Sequence, residues 1–196
     1  MPPGVRGLVR AADGTRIGYQ RYGAGPPVIL VGGAPGAEGG EPALVGLLAR
    51  SFSVVAYERR AGSDRTADIG DLAALVAELG AAGGGSVALH GTASGGVLAL
   101  AAAAAGVPVG PVSVFEPPYP DDAADQLRRV HARVLVVDGG SSPSPVRRAA
   151  RSVAAAVPRG RHRTLTGQIR PVAPHVLAPV LADFLTEETE ILSVGV

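Results

Sequence analysis

The feature that most constrains the fold is the regular alternation of short apolar runs with helical segments. The runs are rich in β-branched residues and bounded by glycine or proline, as is typical of buried strands: PPVILVGG, SFSVVAY, SVALH, GPVSVFEPP and RVLVVDGG. Segments of helical period, such as PALVGLLAR and DLAALVAELGAAG, separate them. This alternation predicts a mainly parallel sheet with helices on both faces and functional groups at the carboxyl ends of its strands.

The beginning of the chain predicts a different, antiparallel element. GVRGLVR and RIGYQRYG flank the turn signal ADGT, which is typical of a β-hairpin. No linker or repeat divides the rest of the sequence, and 46% hydrophobic residues are enough for one sizeable core. We therefore predict an α/β fold in a single domain over residues 1–196, in which residues 187–196 form a C-terminal tail extension.

Composition excludes several partners and chemistries. The 18 basic residues, all arginine, and 17 acidic residues give a net charge of +1, which argues against nucleic acid as a partner. Cysteine is absent and the histidines lack metal-ligand spacing, so we expect no disulfide, no metal and no cofactor. Because the sequence has neither a signal-peptide core nor an apolar run of membrane-spanning length, it predicts a cytoplasmic protein without a membrane partner.

The stretch GTASGG, residues 91–96, lies between the predicted strand SVALH and the helical segment GVLALAAAAAG. A strand, a tight turn flanked by glycines and a helix are the arrangement in which a hydrolase presents a catalytic serine, with the pattern G-x-S-x-G. The middle residue here is Ala93, which has no hydroxyl and cannot form an acyl-enzyme. Ser94 follows in the first helical turn, where capping or facing away is favoured over a role as a displaced nucleophile.

The order of the motifs resembles that of the α/β-hydrolase fold superfamily, in particular its small bacterial esterase-like members. The resemblance runs from about Val5 to Leu185 and is carried by the opening hairpin, VGGAPG, AYERRAGSD, GTASG, FEPP and GQIRPVAPHVLAPVLADF. Members of the family commonly insert a helical cap after the sixth strand. Here FEPPYP passes through DDAADQLRRVHA directly into RVLVVDGG, so we expect a protein without a cap and with an open site.

The resemblance implies a degenerate catalytic triad. It places the family's serine at Ala93, its histidine at Arg170 and its usual acid at Ser142. A guanidinium stays protonated and cannot serve as a general base near neutral pH. Glu116, after the sixth strand, occupies the family's alternative acid position and would supply the carboxylate.

The resemblance also implies that the backbone of the site is retained. The amides of Ala34 and Ser94 correspond to the two oxyanion-hole donors, and Gly33 lies beside the first of them. With Arg170 close by, these donors predict a site for an anionic or carbonyl-bearing group. An ion pair between Arg170 and Glu116 is the alternative.

Three further residues are candidates for substrate binding. Tyr57 ends the fourth predicted strand and Tyr119 follows the sixth, where both would line a shallow apolar floor, although core and turn positions also explain them. His90 ends the strand before GTASGG, where it is either a base beneath the site or a hydrogen-bonded packing residue.

Three functions are compatible with these residues. We favour an enzyme repurposed for cyclisation, elimination or isomerisation of an acyl or polyketide-like small molecule in biosynthesis, because oxyanion stabilisation needs no nucleophile. The second is a non-catalytic pseudoenzyme that binds a ligand or protein partner. The third is an esterase-like hydrolase in which Ala93 replaces the nucleophile. Fold analogy alone does not separate them.

The C-terminal sequence ILSVGV predicts an assembly role, since an apolar β-prone segment tends to cover apolar surface or pair with a sheet edge. We expect it to do so within one subunit or in a homodimer. Deletion of residues 188–196 should therefore lower the mass measured by light scattering or the melting temperature. A truncated protein with the same mass and stability would contradict this prediction.

Overall fold

The sheet and its helices account for most of the residues between the hairpin and the last helix. The computed structural model describes residues 4–33, 41–83, 85–118 and 123–187. Its strands are β1 (Val5–Arg10), β2 (Arg16–Tyr22), β3 (Pro27–Val31), β4 (Ser53–Tyr57), β5 (Val87–Thr92), β6 (Val109–Phe115), β7 (Val134–Gly139) and β8 (Gly160–Leu165). Its helices are α1 (Pro42–Leu48), α2 (Arg65–Gly83), α3 (Ser94–Ala104), α4 (Ala124–Leu127), α5 (Ser144–Ala156) and α6 (Pro174–Thr186).

The eight strands form one sheet in the order β1-β2-β4-β3-β5-β6-β7-β8. β1 pairs antiparallel with β2, and β2 pairs antiparallel with β4, whereas every later pairing is parallel. The predicted hairpin and mainly parallel sheet are confirmed. Parallel pairing brings the carboxyl ends of β3, β5 and β6 to the same edge of the sheet, where the turn after β5 lies.

Helices cover both faces of the sheet, and the strand residues alternate between two cores. On one face, Ile29 and Val31 belong to a core with buried residues of α2 and α3. On the other face, Val28 and Leu30 belong to a core with residues of α1 and α6. Because both faces are buried, β3 is apolar at every position rather than at alternate ones.

Helix α3 approaches the sheet closely because glycines form its contacts. A Cβ atom at Gly95 would lie 2.2 Å from the carbonyl oxygen of Val31, and one at Gly91 would lie 2.5 Å from the carbonyl of Gly95. Neither backbone can retreat without moving a strand. The glycines of GTASGG are therefore required by the approach of α3 to β3 and β5.

The connection from β6 to β7 is short, as the sequence predicts. In its described part α4 is the only helix, and the buried Leu127 and Val130 hold this connection on the core. No cap is inserted among these residues. In the parts of the chain that the structure covers, no helix is long and apolar enough to cross a membrane.

The close approach of α3 makes a stability prediction. Gly95→Ala should lower the free energy of unfolding by at least about 2 kcal/mol, because its methyl group would overlap a strand carbonyl. Gly70→Ala is the matched control, since a Cβ at this position of α2 meets no atom within 4 Å. It should raise the free energy of unfolding by roughly 0.5–1 kcal/mol. Urea denaturation measures both, and equal effects of the two substitutions would contradict the packing argument.

Candidate functional site

The turn between β5 and α3, which we call the elbow (residues 91–96), holds Ala93 in a strained conformation. Ala93 has φ 51° and ψ −123°, a region that residues other than glycine rarely adopt. Its amide donates to the carbonyl of Phe115 at 3.0 Å, and its carbonyl accepts from the amide of Gly96 at 3.0 Å. Such a conformation costs about 1–3 kcal/mol and persists only where the surrounding contacts impose it.

Ser94 joins the elbow to the end of β3. Its hydroxyl donates to the carbonyl of Gly33 and does not cap α3. A Cβ atom at Gly33 would lie 4.0 Å from that of Ala93, so the loop after β3 lies directly against the elbow. Three predicted site residues, Gly33, Ala93 and Ser94, are thus neighbours. Ala34, the other predicted oxyanion donor, lies outside the described residues, and its role stays a prediction.

A cavity of about 340 Å³ opens beside the elbow, between the N-terminal ends of α1 and α6. We call it the elbow cavity. Gly33, Thr92, His90 and Arg170 line its polar part, and the apolar part includes Leu44 of α1 and Leu177 of α6. Glu41, which precedes α1, also lines it. Among the described residues, the cavity lining therefore combines one cationic, one anionic and one imidazole side chain with an apolar wall.

The loop between β8 and α6 places Arg170 in this lining. Gln168 anchors the loop: its side-chain oxygen accepts from the amide of Ala173 at 3.1 Å, and its carbonyl accepts from the amide of Ser141 at 3.0 Å. Arg170 itself is exposed and forms no ion pair with the carboxylates that the structure describes. Its guanidinium is thus available to an anion that enters the cavity.

Glu116 is bonded to the loop after β7 instead of to Arg170. It is buried, with φ 47°, and its Oε1 accepts from the amide of Gly139 at 3.1 Å and from the hydroxyl of Ser142. The alternative of an ion pair with Arg170 is not formed among the described side chains. Glu116 and Ser142 occupy the two acid positions that the resemblance implies, and here they bond to each other.

His90 has a packing contact and also lines the elbow cavity. Only 3% of the residue is exposed, and its Nδ1 lies 2.9 Å from the hydroxyl oxygen of Ser113 on β6. Within the described part of the chain, Nε2 has no hydrogen-bond partner. Burial lowers the pKa of His90 from its ordinary value of 6.5 to about 4, so the ring is neutral at physiological pH.

Tyr57, one of the two tyrosines predicted for substrate binding, lies away from the elbow cavity. Tyr57 is buried in the core of the α2 and α3 face, where burial raises the pKa of its hydroxyl, and it does not line the elbow cavity. The cavity lies on the opposite face, because Leu44 and Leu177 belong to the other core. Strand alternation therefore directs Tyr57 away from the cavity. Tyr119 lies outside the described residues.

A buried ion pair that supports the site was missed from the sequence. Arg59 lies 2.5 Å from Asp68 of α2 and donates to the carbonyl of Gly32 at 3.2 Å. Both side chains are nearly buried, so the pair holds the end of β3 where the elbow cavity begins. The signal was present in AYERRAGSDRTAD, where an arginine after a strand precedes an aspartate in the first turn of a helix.

Comparison with known proteins finds hydrolases and a haloperoxidase. No protein-family model matches the chain. It is 34% identical to a non-heme haloperoxidase from Rhodococcus erythropolis, but the match covers 42% of this chain and 37% of that protein's length. Across 92% of this chain and 100% of the other, it is similar to the structure of an α/β hydrolase from Sphaerobacter thermophilus, with 28% identity and a TM-score of 0.81. An enol-lactonase from Burkholderia xenovorans has 15% identity and a TM-score of 0.71, with 91% and 100% of the chains covered.

The depressed pKa of His90 predicts how stability depends on pH. The unfolded chain takes up a proton as the pH falls below 6.5, whereas the folded protein does so only near a pKa of about 4. Between these values the unfolded state binds more protons, so stability falls as the pH falls. Between neutral pH and about pH 4, the free energy of unfolding should fall by roughly 3 kcal/mol more for the native protein than for the His90→Gln variant.

Urea denaturation across this pH range tests the prediction. His131→Gln, which removes an exposed histidine, is the control and should keep the pH dependence of the native protein. Parallel stability curves for native protein and His90→Gln would show that His90 is not buried as a neutral ring.

Proposed function

We propose that this chain, which has the fold of the α/β-hydrolases, carries out a non-hydrolytic conversion of a small carbonyl-bearing molecule in the elbow cavity. The observation that carries the proposal is the set of residues at the three implied triad positions, Ala93, Ser142 and Arg170. The backbone turn that would present a nucleophile is retained around a methyl group.

The acyl-enzyme route lacks its reacting groups. Ala93 has no atom that can attack a carbonyl, and Arg170 cannot accept a proton near neutral pH. The hydroxyl of Ser142 donates to Glu116, and this carboxylate has no histidine among its described partners. Hydrolysis by the family's route therefore needs at least two substitutions.

The start of α3 and the guanidinium of Arg170 would stabilise negative charge on an oxygen atom of a ligand. α3 begins at Ser94, so its first amides and the positive end of the helix lie at the elbow. Arg170 adds a full positive charge to the cavity lining. Cyclisation, elimination and isomerisation of acyl or polyketide-like compounds develop such charge without a covalent intermediate on the protein. We propose a biosynthetic reaction of this kind.

Two other functions use the same features. A non-catalytic protein that binds an anionic ligand in the elbow cavity is supported by the exposed guanidinium of Arg170. A hydrolase whose nucleophile was replaced at Ala93 is supported by the retained backbone of the elbow. Formation of a cyclised, eliminated or isomerised product from a small carbonyl compound separates an enzyme from a binding protein, and restoring the serine separates the hydrolase from both.

The proposal predicts that native protein does not hydrolyse activated esters. With 4-nitrophenyl acetate, the rate of hydrolysis by the native protein should stay within about tenfold of the rate in buffer. The Ala93→Ser variant should hydrolyse the ester at a similar rate, because no histidine is positioned as the base. The double variant Ala93→Ser with Arg170→His should exceed Ala93→Ser by at least about tenfold.

Ala93→Ser with Arg129→His is the matched control, since it adds a histidine at an exposed position away from the cavity. Saturable hydrolysis by the native protein would overturn the proposed function. Strong recovery by Ala93→Ser alone would favour the hydrolase with a replaced nucleophile.

A further inference from the structure

By distance alone, the contact between Ser113 and His90 fits either neutral tautomer of the imidazole. The buried hydroxyl of Ser113 has one proton and two acceptors in reach: Nδ1 of His90 at 2.9 Å and the carbonyl of Leu89 at 3.4 Å. The first distance is normal for a hydrogen bond and the second is at its limit. We take the tautomer in which Ser113 donates to Nδ1 through the shorter contact, which places the proton of the neutral ring on Nε2.

His90 thus holds a buried N–H donor without an acceptor among the described atoms. Native proteins rarely leave such a group unpaired, because burial removes the water that would otherwise accept from it. His90 lines the elbow cavity. A ligand that places an oxygen atom against Nε2 would complete its hydrogen bonding.

The charged side chains around the cavity further restrict the chemical class of the ligand. Arg170 has no carboxylate partner within the described residues and lines the cavity with His90. A guanidinium and an imidazole N–H both donate, so they favour a ligand rich in oxygen acceptors. Glu41 is the one anionic side chain among the described residues that line the cavity, and it disfavours a second negative charge on the ligand. The complement is a monocarboxylate with one further carbonyl oxygen.

The remaining wall accepts a short aliphatic group. Leu30, Leu44 and Leu177 line the cavity and belong to the core between the sheet and α1 and α6. A cavity of about 340 Å³ is at the small end of the range for ligand sites. Because Arg170 is an exposed and flexible side chain, it can follow the carboxylate while His90 stays fixed in the sheet.

We infer that the elbow cavity binds a small oxo acid with a short aliphatic tail, whose oxo oxygen accepts from Nε2 of His90 and whose carboxylate binds Arg170. This inference rests on the proposed function for the location of the ligand, but it concerns binding and needs no turnover. His90 acts here as a neutral donor, which stabilises negative charge on the oxo oxygen without transferring a proton.

Three related compounds separate the two contacts in calorimetric titrations at neutral pH. 4-Methyl-2-oxopentanoate carries the carboxylate, the oxo group and the tail. 4-Methylpentanoate lacks the oxo group, and 4-methylpentan-2-one lacks the carboxylate. Native protein should bind the oxo acid at least about tenfold more tightly than either of the other two.

Two substitutions should remove different parts of this preference. His90→Leu should reduce the affinity for the oxo acid to the value for 4-methylpentanoate. The affinity for 4-methylpentanoate itself should not change. Arg170→Gln should reduce the affinity for both acids by at least about tenfold and leave the affinity for the ketone unchanged. His131→Leu and Arg129→Gln, at exposed positions that do not line the cavity, are the matched controls and should bind all three as native protein does.

Two more variants keep the test decisive if His90→Leu does not fold. His90→Gln retains an N–H donor and should keep the preference for the oxo acid. Ser113→Ala removes the hydroxyl that directs the proton to Nε2 and should reduce that preference without affecting 4-methylpentanoate.

Equal affinities of native protein for the two acids, no measurable binding of the oxo acid, or an unchanged preference in His90→Leu would each overturn the inference. These outcomes are independent of the test of function. Ester hydrolysis by native protein would overturn the proposed function while leaving the relative affinities to be judged separately.

Discussion

The close approach of α3 to β3 and β5 is the constraint on which the site depends. No side chain fits between Gly95 and the carbonyl of Val31, so the turn before α3 has little choice of path. That path forces a positive φ on Ala93 and brings Ser94 to the carbonyl of Gly33. The strain at the elbow is therefore maintained by packing, and it persists although Ala93 offers no reactive group.

Arginine side chains hold the segments around this packed centre. Arg59 links Asp68 of α2 to the carbonyl of Gly32, and Arg60 links Asp71 of α2 to Asp13 in the hairpin turn. Hydrogen bonds from Thr15 and Arg60 lower the pKa of Asp13 to about 2. A buried charge must be paired once it leaves water, so Arg59 and Asp68 restrict the relative positions of β3, the loop after β4 and α2. Their contribution is to geometry more than to net stability.

The chemistry of the site follows from what these constraints retain. The backbone amides at the start of α3 do not depend on side chains, so their positions are set by the turn and not by the residue at position 93. Glu116 accepts a hydrogen bond from Ser142, and Arg170 has no ion-pair partner among the described residues. With His90 neutral, the described lining of the cavity carries the positive charge of Arg170 and the negative charge of Glu41.

The sequence by itself determined the alternation of strands and helices, the opening hairpin, the absence of an inserted cap in the described connection and the residue at the elbow. These features depend on periodicity, turn residues and motif order, which are local or sequential properties. Tertiary structure alone decided that Tyr57 faces the core of α2 and α3, that Ser113 bonds to His90, and that Glu116 bonds to Ser142. Partners that lie 23 or 26 residues apart are set by strand register and crossover packing. A shift of one residue in strand register would move each side chain to the opposite face of the sheet, and no local sequence pattern specifies the register.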